Sequence, residues 1–243
     1  MTYVEPEETE LDVYISSSKF NKCVAAIKEL WRGVTAGDME YYTGATGKAR
    51  LPIGVPGQKY AVNAGATAPE LVNGGITLIE EFIATGAEAT YTFAAIPQIY
   101  SHLKLIAMGR SSWAGNYETL KLQFNADAGG NYNVNNIWVN NNTFVQTYIG
   151  GAAYAYGGYL PAATATANYP GVSEIVIPNY TNSTFYKTAQ TMVSFLHAAN
   201  IGGCDTGISH TVWLNDDPIT AIKAFLSDDE YVAGTILSLY GMF

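Results

Sequence analysis

The chain has 243 residues, 48% of them hydrophobic, which is enough for one large or two small domains with a real core. Its charged share of 14% is far below the usual quarter, and a net charge of -9 with 12 Lys and Arg excludes the clustered basic surface that nucleic acid requires. The acidic start MTYVEPEETELD is no secretory signal, and no apolar run approaches the eighteen residues of a membrane span.

With 24 Gly and 18 Tyr, the composition suits β-structure with many turns and an uncharged polar surface. Cys23 and Cys204 are far apart in sequence and read as two free thiols. Residues 1–32 combine an acidic tail with an amphipathic helix. Phe20, Cys23, Val24, Ile27, Leu30 and Trp31 recur at helical spacing, with Ser16 to Ser18 as caps and Gly33 as the stop. Two surfaces could receive that apolar face: the chain's own β-domain or a neighbouring subunit.

Residues 33–73 form the arm. Gly or Pro recurs every few residues, apolar mass is small, and no helix pattern is present. Such a segment predicts an extended piece without a core of its own, held against other copies of itself. Its aromatic and branched residues separate it from a disordered linker. Phe20, Val24, Ile27, Trp31, Tyr41, Tyr42, Leu51, Ile53 and Leu71 are the candidate assembly contacts.

Residues 74–243 read as one all-β domain. Strands are predicted at Ile76–Ala84, Thr90–Ala94, Leu103–Met108 and Thr119–Asn125, where apolar and polar positions alternate. The Asn-rich stretch Asn125–Asn142 and the Gly, Ala and Tyr-rich stretch Ala152–Tyr159 read as surface loops, with short strands near Ile137–Val139 and Phe144–Ile149. Further strands are expected at Gly171–Asn179, Thr188–His197, Thr211–Asn215, Ile219–Phe225 and Tyr231–Tyr240. The total is eight to ten strands with no strand–helix–strand rhythm. An antiparallel two-sheet sandwich, jelly-roll-like, is the predicted fold.

The arm GDMEYYTGATGKARLPIGVPGQKYAVNAGATAPELV resembles a module of phage tail-fibre and related virion proteins. The matching residues are Gly37-Asp38, Tyr41-Tyr42, Gly44, Leu51-Pro52-Ile53-Gly54, Gly57-Gln58 and Asn63 to Pro69. Leu71 stands where the family pattern has Trp. The β-domain resembles one that follows this module in virion proteins, through Ile96 to Tyr100, Leu103 to Arg110, Leu122 to Asn125, Ile177 to Tyr180, Phe185 to Lys187 and Leu237 to Gly241. The resemblance spans residues 33 to 243. It implies a virion protein without fixed catalytic residues, assembled as a homotrimer with other virion proteins, in a fibre, tail tip, collar or head decoration.

Chemistry finds little support in the residue pattern. His102, His197 and His210 have no metal-ligand spacing and read as structural. Asp216-Asp217 and Asp228-Asp229-Glu230 read as solvated turns, although paired carboxylates about 5–10 Å apart would suit glycoside cleavage. Asn125, Asp127, Asn131 and Asn133 could surround a calcium ion, but one carboxylate is thin for that ion and an Asx-rich turn is the plainer reading. Ser111-Ser112 and Ser209-His210 lack a nucleophile elbow. No catalytic residue or cofactor is expected. Trp113, Tyr117, Trp138, Tyr148, Tyr154, Tyr156 and Tyr159 are the candidate contacts to a host glycan or to sister subunits.

Overall fold

The computed structural model describes residues 17–30, 38–44, 47–55, 58–63, 65–140, 143–196, 203–227 and 229–243. The fold is all-β with one short N-terminal helix and several antiparallel sheets. The chain divides into two compact units, Met1–Val72 and Asn73–Phe243.

In the first unit the helix α1 spans Ser17–Leu30. Phe20 is exposed on it and Val24 half-buried, while Trp31 and the side chain of Ile27 lie outside the described residues. The arm is more ordered than its composition predicts. Strands β1 (Met39–Tyr42) and β2 (Lys48–Leu51) pair antiparallel, and so do β3 (Gln58–Val62) and β4 (Pro69–Asn73). Polar side chains supply what a core does not. Asp38 pairs with the Arg50 guanidinium and accepts a bond from the Ile53 amide at 3.0 Å. The Asn63 carbonyl group of the side chain accepts from the Thr67 and Ala68 amides at 2.9 and 3.3 Å, closing the β3–β4 turn. Among the described residues of this unit, Leu51 is the only buried hydrophobic side chain. Tyr41 and Leu71 are half-buried, and Tyr42 and Ile53 are exposed.

The second unit holds twelve strands, more than the eight to ten expected. They are β5 (Ile76–Ile83), β6 (Thr90–Phe93), β7 (His102–Gly109), β8 (Tyr117–Phe124), β9 (Tyr132–Asn140), β10 (Thr143–Ala152), β11 (Ala155–Pro161), β12 (Gly171–Pro178), β13 (Lys187–Leu196), β14 (Cys204–Trp213), β15 (Ile222–Phe225) and β16 (Ile236–Met242). An eight-stranded sheet runs β10-β9-β14-β13-β12-β7-β16-β5, and a four-stranded sheet runs β11-β8-β15-β6. Leu103, Leu105 and Ala107 of β7 are fully buried in one cluster with Leu120, Leu122 and Phe124 of β8, so both sheets contribute to one core. Strict alternation places them there: β7 and β8 each bury every second residue.

β11 corrects the expectation of a loop at Ala152–Tyr159. All its residues but Tyr159 are buried. Its small residues let the backbone come close to the larger sheet. A Cβ on Gly158, whose φ is +105°, would lie 2.1 Å from Ser173 Oγ on β12. The Gly and Ala content that reads as a surface loop is here a requirement of close packing.

Candidate functional site

A cleft of about 420 Å³ opens beside the β7–β8 connection, lined by Trp113, Asn116, Tyr117, Glu118, Thr119, Lys121 and Ser227. Hydrogen bonds fix the loop that builds it. The Ser112 amide donates to the Glu230 carbonyl at 2.9 Å, and the Glu230 amide donates back to Ser112 Oγ at 3.0 Å. The Gly115 and Ala163 amides both donate to the Trp113 carbonyl at 2.8 Å, and Thr164 Oγ1 donates to Asn116 Oδ1 at 2.8 Å. Gly115 is demanded by the indole: a Cβ there would lie 2.2 Å from the Trp113 ring.

Behind the loop, Arg110 is a clamp. Its guanidinium donates to the carbonyls of Thr166 (2.8 Å), Tyr169 (2.9 Å), Ala162 (2.7 Å) and Ala165 (3.1 Å). A planar fork of donors suits this role, and a lysine could not span four acceptors. Burial pushes the Arg110 pKa down from its ordinary value, which still leaves a cation at neutral pH.

The cleft offers an apolar plate and mixed polar groups. Trp113 is 38% exposed. Lys121 contacts Ser227 Oγ and lies 4.7 Å from the centre of the Tyr154 ring. Glu118 Oε1 accepts from the Ser227 amide at 2.8 Å and is the one carboxylate among the described lining residues. This is a surface for stacking and hydrogen bonding.

The seven candidate aromatics divide. Trp113 and Tyr148 are exposed, and Tyr154 is half-buried beside Lys121. Tyr117, Trp138, Tyr156 and Tyr159 instead form an internal cluster with Phe195. Ring centres are 5.5 Å apart for Tyr117–Trp138, 4.8 Å for Trp138–Tyr159, 5.2 Å for Tyr156–Tyr159 and 5.5 Å for Tyr117–Phe195. Trp138 and Tyr156 are buried, Tyr117 and Tyr159 half-buried. Burial raises the pKa of all three phenols in the cluster, so they stay neutral. Trp138, Tyr156 and Tyr159 join β11 to β9 and, through Phe195, to β13, while Tyr117 on β8 packs on this cluster and also lines the cleft.

The Asn-rich turn is committed to protein donors. Asn125 Oδ1 accepts from the Thr220 and Ala221 amides at 2.8 and 3.2 Å. Asp127 accepts from Trp213 Nε1 at 2.7 Å, from the Gly129 amide at 2.8 Å and from Asn131 Nδ2 at 3.0 Å. The indole bond, ahead of the others, lowers the Asp127 pKa. Asn133 Oδ1 accepts from the Gly151 amide at 3.2 Å. These contacts fasten loops, with Asp127 gripping the buried Trp213.

The remaining sites of interest separate. Ser209 is buried and donates to the Asn135 carbonyl at 3.2 Å, while His210 is exposed on the other face of β14. They cannot act as a nucleophile and base. His102 Nδ1 accepts from the Asn179 amide at 3.1 Å. Asp216 and Asp217 are exposed, and the Asp217 amide donates to Asn215 Oδ1 at 2.8 Å in an Asx turn. His197 and Asp228 lie outside the described residues. The Arg110 clamp and the Asp127–Trp213 pair escape a motif search because their partners are backbone carbonyls and a residue 86 positions away. Cys23 and Cys204 are free and exposed. No helix among the described residues is long and apolar enough to cross a membrane. Comparison of the chain with protein-family models, with curated proteins and with solved structures finds no match.

Proposed function

We propose that this chain is a non-enzymatic structural protein of a phage virion, assembled through its arm as a homotrimer. The observation that carries the reading is the arm's surface. Among its described residues the arm buries one hydrophobic side chain and leaves Met39, Tyr42, Ile53, Val55, Tyr60 and Val62 exposed. Isolated two-stranded pieces are marginal in water, and sister subunits would cover the apolar groups that one chain leaves open.

The strand orders support a jelly roll in the β unit. The sets β5-β16-β7-β12 and β6-β15-β8-β11 share one core, and the chain crosses between them at every step but β8 to β11, which pair within one sheet as that topology requires. The hairpins β9–β10 and β13–β14 are inserted in the β8–β11 and β12–β15 connections and widen one sheet. Jelly rolls recur in viral capsid and lectin domains, so the fold accommodates the reading without selecting it.

Mass measurement of the full chain tests assembly. In a chain carrying Thr147→Lys, three copies per assembly are expected, falling to one when Ile53→Asp plus Val62→Asp are added. A stable monomer with a protease-sensitive arm overturns the trimer. Loss of particle incorporation on removal of residues 1–32 tests virion attachment through the helix. Full retention would move that contact to the β unit.

The cleft favours a second reading, a host-glycan-binding module of the virion. An exposed indole beside an amide, a hydroxyl and an ammonium matches a sugar's apolar face and hydroxyl rim. Trp113→Ala should abolish retention on a glycan array that the parent chain binds. Equal retention removes the cleft from consideration.

A further inference from the structure

The eight-stranded sheet ends on β10, which pairs with β9 along one side only. The opposite end strand, β5, carries Glu80 and Glu81. β10 reads TFVQTYIGGA, with no charge and no proline, the devices that keep natural edge strands apart. A register shift between Ile149 and Ala152 interrupts its far end and leaves Thr143–Ile149 regular. Val145 is half-buried there and the other side chains of that run are exposed. An unpaired row of backbone donors and acceptors is matched by another extended strand.

Charge indicates which strand. Residues 128–173 contain no Asp, Glu, Lys, Arg or His, in a chain of net charge -9. A second copy of so acidic a protein meets repulsion over much of its surface and none from this stretch. The run is also complementary to itself. Antiparallel overlap of Thr143–Ile149 with its own copy sets Gln146 opposite Gln146, Val145 opposite Thr147, and Phe144 opposite Tyr148. Phe144 and Tyr148 are 65% and 68% exposed and share one face of the strand with Gln146. Opposed across two chains, they form two aromatic pairs flanking an amide pair.

We propose that β10 pairs antiparallel with β10 of a second copy about a two-fold axis at Gln146, joining two eight-stranded sheets edge to edge. This contact goes beyond assembly through the arm and does not depend on it. The test uses the full chain with Cys23→Ser and Cys204→Ser, carrying Phe144→Cys, Gln146→Cys or Tyr148→Cys under an added thiol oxidant. A cysteine on the axis faces its own copy, so Gln146→Cys gives the highest yield of cross-linked dimer. Thr147→Lys added to that variant sets charges close to the axis and abolishes the cross-link, with far-UV circular dichroism unchanged. Ile53→Asp plus Val62→Asp leaves the cross-link intact, which separates this contact from the arm's. The proposal is overturned if Gln146→Cys yields no more dimer than the cysteine-free chain, or no more than Phe144→Cys and Tyr148→Cys.

Discussion

The arm and the β unit use the same strand pairing with different consequences. In the arm, strands of four or five residues pair two by two around a single buried hydrophobic side chain. In the described residues of 73–243, twelve strands enclose a large cluster from Ala84 to Leu239 and a smaller one around Trp138, Val193 and Phe195. Hydrogen bonding is available to both, so it is not the distinction. The distinction is a second layer: Leu105 is buried because β8 brings Leu122 to the same interior, whereas Tyr42 and Val62 stay exposed among the described residues of their unit. Register in the arm rests on Asp38, Arg50 and Asn63, which fix local shape without the burial that makes unfolding cooperative.

That contrast predicts unequal responses to mutation. Leu122→Ala empties a fully buried site and should cost about 2–5 kcal/mol of unfolding free energy, read by chemical denaturation. Leu51→Ala should leave that transition in place and speed proteolysis within residues 38–72. A common shift in both variants would show the two units to melt as one. Arg110→Met tests a region held by polar bonds. Leaving its carbonyls without a donor should cost at least about 1–3 kcal/mol, with Arg110→Lys recovering only part.

Asp127 gives a smaller effect with a definite pH dependence. Its folded pKa lies below the ordinary carboxylate value because Trp213 donates to the ionised form. The stability it adds is complete above the unfolded pKa and is lost as pH falls through the lowered folded value. Asp127→Asn should therefore cost about 1 kcal/mol at neutral pH and flatten the acid limb of a stability profile. An unchanged limb would assign acid sensitivity elsewhere. The surface pair of Lys104 with Glu174, at 2.8 Å, should matter least. Glu174→Gln is expected to change stability by about 0–1 kcal/mol.

Legibility followed the same division. Strands such as β7 and β8 were readable because hydrophobic residues alternate onto one face. The residue pattern predicts β14 only over Thr211–Asn215 because it is inverted: Asp205, Ser209 and Thr211 are buried while Ile208 is exposed. β13 begins with a buried lysine, Lys187, whose ammonium donates to the Asp216 and Phe185 carbonyls at 2.7 and 3.1 Å. β11 was hidden by glycines that serve close approach. Of the candidate contacts, Trp113 is exposed in a loop, while Trp138 and Tyr156 are buried. A tyrosine in a Gly-rich stretch such as Tyr156 looks the same whether the stretch covers a sheet or leaves it.

The sheet order also dictates when the β unit can finish folding. β16, Ile236–Met242, lies between β5 and β7, and β15, Ile222–Phe225, lies between β6 and β8. A nascent chain not yet extended to Ile236 has a strand-wide slot in the larger sheet, whose neighbours Ile76–Ile83 and His102–Gly109 are made long before. Closing such a slot is a slow, long-range event, and until then both bordering strands offer open pairing edges. The residues that close this slot are Leu237 and Leu239, which fill the core from β16.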